Sequence, residues 1–151
     1  MREKSHSAVK KHDILICGLI AAATLLFILN FRIVKVRGNS MEPTLSDGQL
    51  LFATTHTSNL KYDDIVIFRY EEQNCVKRVV AVSGDTVTLK NNQVYVNQIA
   101  CTNYEYSGEE KQYVIAEDEI FVMGDNTKVS LDSRMFGPVK MEQIRFKRLS
   151  G

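Results

Sequence analysis

The sequence predicts a mainly β domain tethered by one N-terminal transmembrane helix. Two observations carry this: a run without a single charge occupies Ile14–Phe31, and after Arg32 the texture changes to short β-rich stretches divided by turn residues. No long amphipathic helical pattern follows the apolar run. The chain therefore divides into a tail (1–13), an anchor (14–31) and a β-rich domain (32–151).

The anchor reads I-L-I-C-G-L-I-A-A-A-T-L-L-F-I-L-N-F, 18 uncharged positions. As a helix rising about 1.5 Å per residue it spans roughly 27 Å, near the hydrocarbon thickness of a bilayer. A cleaved secretory signal is one rival, since Ala21-Ala22-Ala23 offers small residues. A cut there leaves Leu25-Leu26-Phe27-Ile28-Leu29 at the new N-terminus, which argues for an uncleaved anchor. A buried core helix is the other rival, but the run is too long and too apolar all round for so small a domain. Flanking charge leaves orientation open: Arg2, Lys4, Lys10 and Lys11 on one side face Arg32, Lys35 and Arg37 on the other.

In the body, alternation and turn signals place strands at Ile33–Val36, Leu50–Thr54, Asp64–Tyr70, Val76–Val82, Thr86–Lys90, Gln93–Val96, Ile120–Met123 and Ile144–Lys147. Asn91-Asn92 is the expected two-residue turn of a hairpin, because asparagine tolerates positive φ. The polar stretch Cys101–Lys111, with Ser107-Gly108, reads as a loop.

Composition removes several function classes. With 19 basic against 18 acidic residues and a pI near 7.7, the chain lacks the basic excess that holds proteins to nucleic acid. Cys17, Cys75 and Cys101 lack metal-ligand spacing, and His6, His12 and His56 form no cluster, so no metal is expected. Only Cys75 and Cys101 are candidates to pair, and two free thiols is the simpler reading.

Three stretches can carry chemistry. In Gly38-Asn39-Ser40-Met41-Glu42-Pro43-Thr44-Leu45, a turn precedes a serine and proline stiffens the exit. Such a turn presents the hydroxyl, with backbone N–H groups near a developing oxyanion; by itself it is also an ordinary turn. In Val76-Lys77-Arg78-Val79, strand alternation puts Lys77 on one face with Cys75, Val79 and Ala81. Loss of hydration there lowers a lysine pKa and creates a base. Alternatively one of the two cations reaches solvent at a sheet edge. The third stretch is Gly124-Asp125-Asn126 with Ser130-Leu131-Asp132-Ser133-Arg134, where Asp132 and Arg134 pair if they share one face of an extended segment. Its plainer reading is a turn plus a surface ion pair.

Taken in order, these stretches resemble bacterial type I signal peptidases. Ser40-Met41-Glu42-Pro43-Thr44-Leu45 resembles the family's S-M-x-P-T-L box, and Asp64-Ile65-Val66-Ile67-Phe68 its G-D-I-V-x-F box. Val76-Lys77-Arg78-Val79 with Gly84-Asp85 resembles the lysine box, and the segment from Gly124 to Gly137 the last box. Ser83 stands where the family usually has proline, Thr127 where an arginine commonly follows G-D-N, Asp63 where glycine opens the second box, and Gly38 where some relatives place a hydroxyl.

The resemblance implies a signal-peptidase-like β-sheet catalytic domain that removes signal peptides from secreted preproteins by a Ser/Lys dyad. Ser40 is then the nucleophile, Lys77 the base and Ser130 the hydroxyl that orients the lysine amine. Asp132 and Arg134 support the Ser130 segment, Gly124, Asp125 and Asn126 shape the nearby loop, and Met41 is an apolar neighbour. It also implies substrates with small residues at positions −1 and −3, contact with membrane lipid, a monomer, and no cofactor. The implied setting is the cell membrane, crossed once, with the N-terminus cytoplasmic and the catalytic domain outside; the compact span between Lys77 and Gly124 looks Gram-positive. Rival readings are a self-cleaving repressor-type Ser/Lys protease, a catalytically silent homologue acting as a membrane assembly factor, and a triad through His56.

Overall fold

The computed structural model describes residues 3–149; Met1 and Arg2 of the expected tail, and Ser150 and Gly151, lie outside the described residues. Two compact units divide at Phe31/Arg32. The first is a single helix, α1 (Glu3–Asn30). Its stretch Lys10–Asn30, mean hydropathy 2.2 and with none of it buried, is long and apolar enough to cross a membrane.

The second unit is mostly β, as the sequence predicts. Its strands are β1 (Phe31–Lys35), β2 (Leu50–Thr54), β3 (Ile65–Tyr70), β4 (Gln73–Ala81), β5 (Thr86–Lys90), β6 (Gln93–Val96), β7 (Ile99–Glu105), β8 (Lys111–Val114), β9 (Glu119–Met123), β10 (Val139–Lys140) and β11 (Ile144–Arg148). A one-turn helix, α2 (Ser133–Phe136), precedes β10. One sheet has the order β1-β2-β11-β3-β4-β9-β10 and the other β7-β6-β5-β8.

Each strand forms for a local reason, and its place follows from what covers it. β3 is buried from Ile65 to Phe68 because both faces are covered, which explains its continuous apolar run. Ile65 joins Val36, Met41, Leu45 and Leu51 in one cluster, while Val66 and Phe68 join Val79, Ile120 and Val122 in another. A third cluster, including Val80, Val87, Leu89, Val94 and Phe121, packs the small sheet. β5 and β6 pair from Val87↔Val96 to Lys90↔Gln93, and Asn91 and Asn92 both take positive φ, as a two-residue turn requires.

Parts of two motif boxes serve as scaffolding. Gly84 (φ 85) and Asp85, whose carboxylate accepts the Val82 N–H at 2.9 Å, build the turn between β4 and β5. Asp64 accepts from Lys61 N–H at 2.9 Å and pairs with Lys147 Nζ at 2.7 Å, tying β3 to β11.

Two expectations need correction. Residues 101–111 are not a loop throughout: 101–105 complete β7, which pairs with β6, and Lys111 opens β8, which pairs with β5. β7 exposes most of its side chains, and a register shift between Gln93 and Val94 interrupts its pairing, so no clean alternation marks it. Nor does Ala81 share the Lys77 face. A register shift between Val79 and Ala81 breaks the alternation of β4, and Val80 and Ala81 both pack into the third cluster. Cys75 and Cys101 are free thiols packed against different clusters.

Candidate active site

Ser40 sits on a turn that its own sequence shapes. Gly38 (φ 81) takes a conformation that favours glycine, and its N–H donates to Asp47 Oδ1 at 2.8 Å. Met41 is buried with Leu45 and Val36 and pins the turn to the core, so its place is packing beside the site. Among the described residues the Ser40 N–H donates to no protein acceptor.

β4 delivers the amine. Lys77 stands opposite Val66 of β3, on the face that also carries Cys75 and Val79. It is 4% exposed, and its Nζ lies 2.8 Å from Ser40 Oγ and 3.1 Å from the Val76 carbonyl. The short contact runs either way, from a charged amine to the hydroxyl oxygen or from the hydroxyl to a neutral amine. Burial holds the Lys77 pKa below the ordinary lysine value, while Cys75 and Asp132 pull it partly back.

The last box is a buried frame rather than a surface ion pair. Asp132, 0% exposed, accepts from Gly124 N (3.0 Å), Arg134 N (3.2 Å), Arg134 Nε (2.9 Å) and Arg134 Nη2 (2.9 Å). The pair forms because Asp132 caps α2 and Arg134 lies in its first turn, not along an extended segment as expected. Arg134 also donates to the carbonyls of Glu105 (2.5 Å) and Thr127 (3.1 Å), and Ser133 Oγ accepts from Val122 N at 3.0 Å.

Ser130 is 8% exposed and its Oγ is buried without a hydrogen-bond partner, so the expected bond to Lys77 is not made in this structure. It nevertheless sits close to Ser40. A Cβ on Gly124 would collide with Ser130 Oγ and come 2.5 Å from the Ser40 carbonyl oxygen. Asn126 N–H donates to that same carbonyl at 3.0 Å. We therefore expect Gly124→Ala to push these two segments apart. Turnover of substrate should fall about 10²-fold, the scale of an ~1 Å misplacement, and melting should show a cost of ~1–3 kcal/mol for overpacking.

Sequence reasoning missed Arg78, leaving it as one of two strand cations, either of which could reach solvent. Arg78 binds Asp125 through Nε (2.8 Å) and Nη2 (2.6 Å), Asp63 through Nη1 (2.8 Å) and Thr44 Oγ1 through Nη2 (3.3 Å). It thereby ties the Ser40 loop, the entry to β3 and the loop after β9 into one support. The signal was the Asp125 carboxylate of the last box, but nothing local links it to a residue 47 positions away. Asp125 in turn helps raise the pKa of Tyr104, after burial. His56 is exposed after β2 and makes no bond to Ser40. Among the described residues no group of His, Cys, Asp or Glu is placed to hold a metal ion.

A mainly β domain that brings a serine hydroxyl to a buried amine has the parts of a serine peptidase. The family described as signal peptidase, peptidase S26, matches residues 9–148. Signal peptidase I P of Bacillus subtilis subsp. natto is 35% identical, covering 83% of this chain and 80% of its own. Signal peptidase IB of Staphylococcus aureus is 32% identical, covering 85% and 83%. A solved signal peptidase I from Enterococcus faecalis aligns with a TM-score of 0.49 at 24% identity, over 62% of this chain and 98% of that one. The chain belongs to the signal peptidase family, peptidase S26, and is a serine endopeptidase.

Proposed function

We propose that this chain is a membrane-anchored peptidase that removes signal peptides from preproteins, with Ser40 as nucleophile and Lys77 as general base. The observation that carries the reading is the 2.8 Å contact between Ser40 Oγ and a lysine amine that is 4% exposed. Neutral Lys77 takes the hydroxyl proton as Oγ attacks the scissile carbonyl, and returns it to the leaving amine as the C–N bond breaks. Water then releases the acyl group from Ser40 with the same amine as base. The unengaged Ser40 N–H supplies a donor for the oxyanion. Ser130 Oγ steadies the amine once it turns from Ser40.

Gln73–Lys77 of β4 pair with β3 on one side, whereas the pairing with β9 starts only at Arg78. That open edge suits a signal peptide added as an extended strand. Small residues at −1 and −3 fit a site backed by the buried apolar cluster of Met41, Leu45 and Val36. The apolar helix α1, with relatives from Bacillus and Staphylococcus, supports a Gram-positive, single-pass membrane protein. The N-terminus would be cytoplasmic and the catalytic unit outside, where preproteins emerge. Exposed Ile33, Leu50 and Phe52 would meet lipid, and a monomer suffices for the chemistry.

The pH profile tests the base. Only neutral Lys77 accepts the proton, so kcat/KM for a preprotein should rise with pH through the Lys77 pKa and level off. Because burial lowers that pKa, the plateau should begin below the ordinary lysine value. A profile peaking below pH ~6, on the acid side of any amine base, contradicts the reading.

A further inference from the structure

A groove of about 1230 Å³ is lined in part by Ser130, which lies across Gly124 from the Ser40 carbonyl. It is walled by the β5–β6 turn, the segment after β7 and residues from the 127–135 stretch, with Asn92, Gln93, Glu105, Glu109, Thr127 and Lys128 among its linings. Small-molecule sites run to ~300–1,000 Å³, so this space suits a length of peptide better than a small ligand.

Two ties join the groove to the nucleophile. Asn126 N–H holds the Ser40 carbonyl at 3.0 Å, and Thr127, the next residue, lines the groove. Ser130 lines it as well, with its Oγ buried and unpartnered next to Gly124 and the Ser40 carbonyl. The open β4 edge proposed for the signal peptide is made of other residues, and meets Ser40 at Lys77.

We propose that this groove binds the first residues of the mature protein, those that follow the cut, as an extended polar segment. The inference rests on the peptidase reading above. The lining fits the occupant: amides, hydroxyls and both charge signs suit a water-soluble chain, whereas the cluster behind Ser40 is apolar.

The test uses the full chain in detergent and two substrates with one signal part, the first a complete preprotein and the second a peptide ending one residue after the cut. Ser107→Trp and Lys128→Trp fill the groove from exposed positions outside the dyad and its supports. We expect kcat/KM for the preprotein to fall about tenfold in each, with the short peptide cut as by wild type, since only remote binding is lost. If wild type cleaves both substrates and the variants treat the two alike, the groove assignment is overturned. If wild type cleaves neither, the peptidase reading falls and takes the groove with it.

Discussion

Lys77→Ala should lower preprotein cleavage by ~10⁴-fold or more, and Ser40→Ala by a similar factor, with no further loss in the double variant. On the proposed mechanism the two groups, 2.8 Å apart, act as one unit: without the amine the hydroxyl keeps its proton, and without the hydroxyl there is nothing to deprotonate. His56→Ala should cleave as wild type, because that imidazole lies exposed away from the pair. Lys77→Met separates chemistry from stability. Burial lowers the folded-state pKa of Lys77, so between that value and the unfolded one the unfolded chain binds more protons, and stability rises with pH. The destabilisation is therefore fully present below the folded pKa and gone above the unfolded one. An inactive Lys77→Met chain should melt higher than wild type at neutral pH, with the gap closing at alkaline pH. A Lys77→Ala or Ser40→Ala chain that still cleaves would end the dyad assignment. A Lys77→Met chain no more stable than wild type would end the claim that burial is costly.

Asp132→Ala should produce the largest loss of stability, ~3–5 kcal/mol, because it strands a buried cation. Arg134 would lose the partner of its Nε and one partner of its Nη2, and Gly124 N–H would lose its acceptor. For a domain of this size the melting temperature should drop on the order of 10 °C or more. Activity should fall with it, since Gly124 and Ser130 are set by that carboxylate and lie against Ser40. Pairing Asp132→Ala with Arg134→Met distinguishes the causes: removing the stranded cation should restore part of the stability. Equal melting of wild type and Asp132→Ala would refute the frame.

Much of the architecture was legible because its signals are local. β2, β5 and β6 match their expected limits residue for residue, since alternation and the Asn91-Asn92 turn lie within a few positions. β7, β8 and β10 were not legible. β8 and β10 are four and two residues long and are defined by pairing to β5 and β9, not by a pattern of their own. Within the candidate site, the motif boxes pointed to Ser40, Lys77, Asp132 and Arg134, but the conformation joining the last two was misread. A helix cap depends on what the capped turn packs against.

The sequence by itself determined a mainly β domain with one long apolar helix before it, because periodicity and uninterrupted hydropathy are properties of neighbouring residues. Only the tertiary structure decided that Lys77 meets Ser40 across 37 positions and that Arg78 meets Asp125 across 47. It also left the Ser130 hydroxyl buried and unpaired across Gly124 from Ser40. Those outcomes depend on strand order and on a register shift in β4, which arise from how the sheets pack and not from any single stretch of chain.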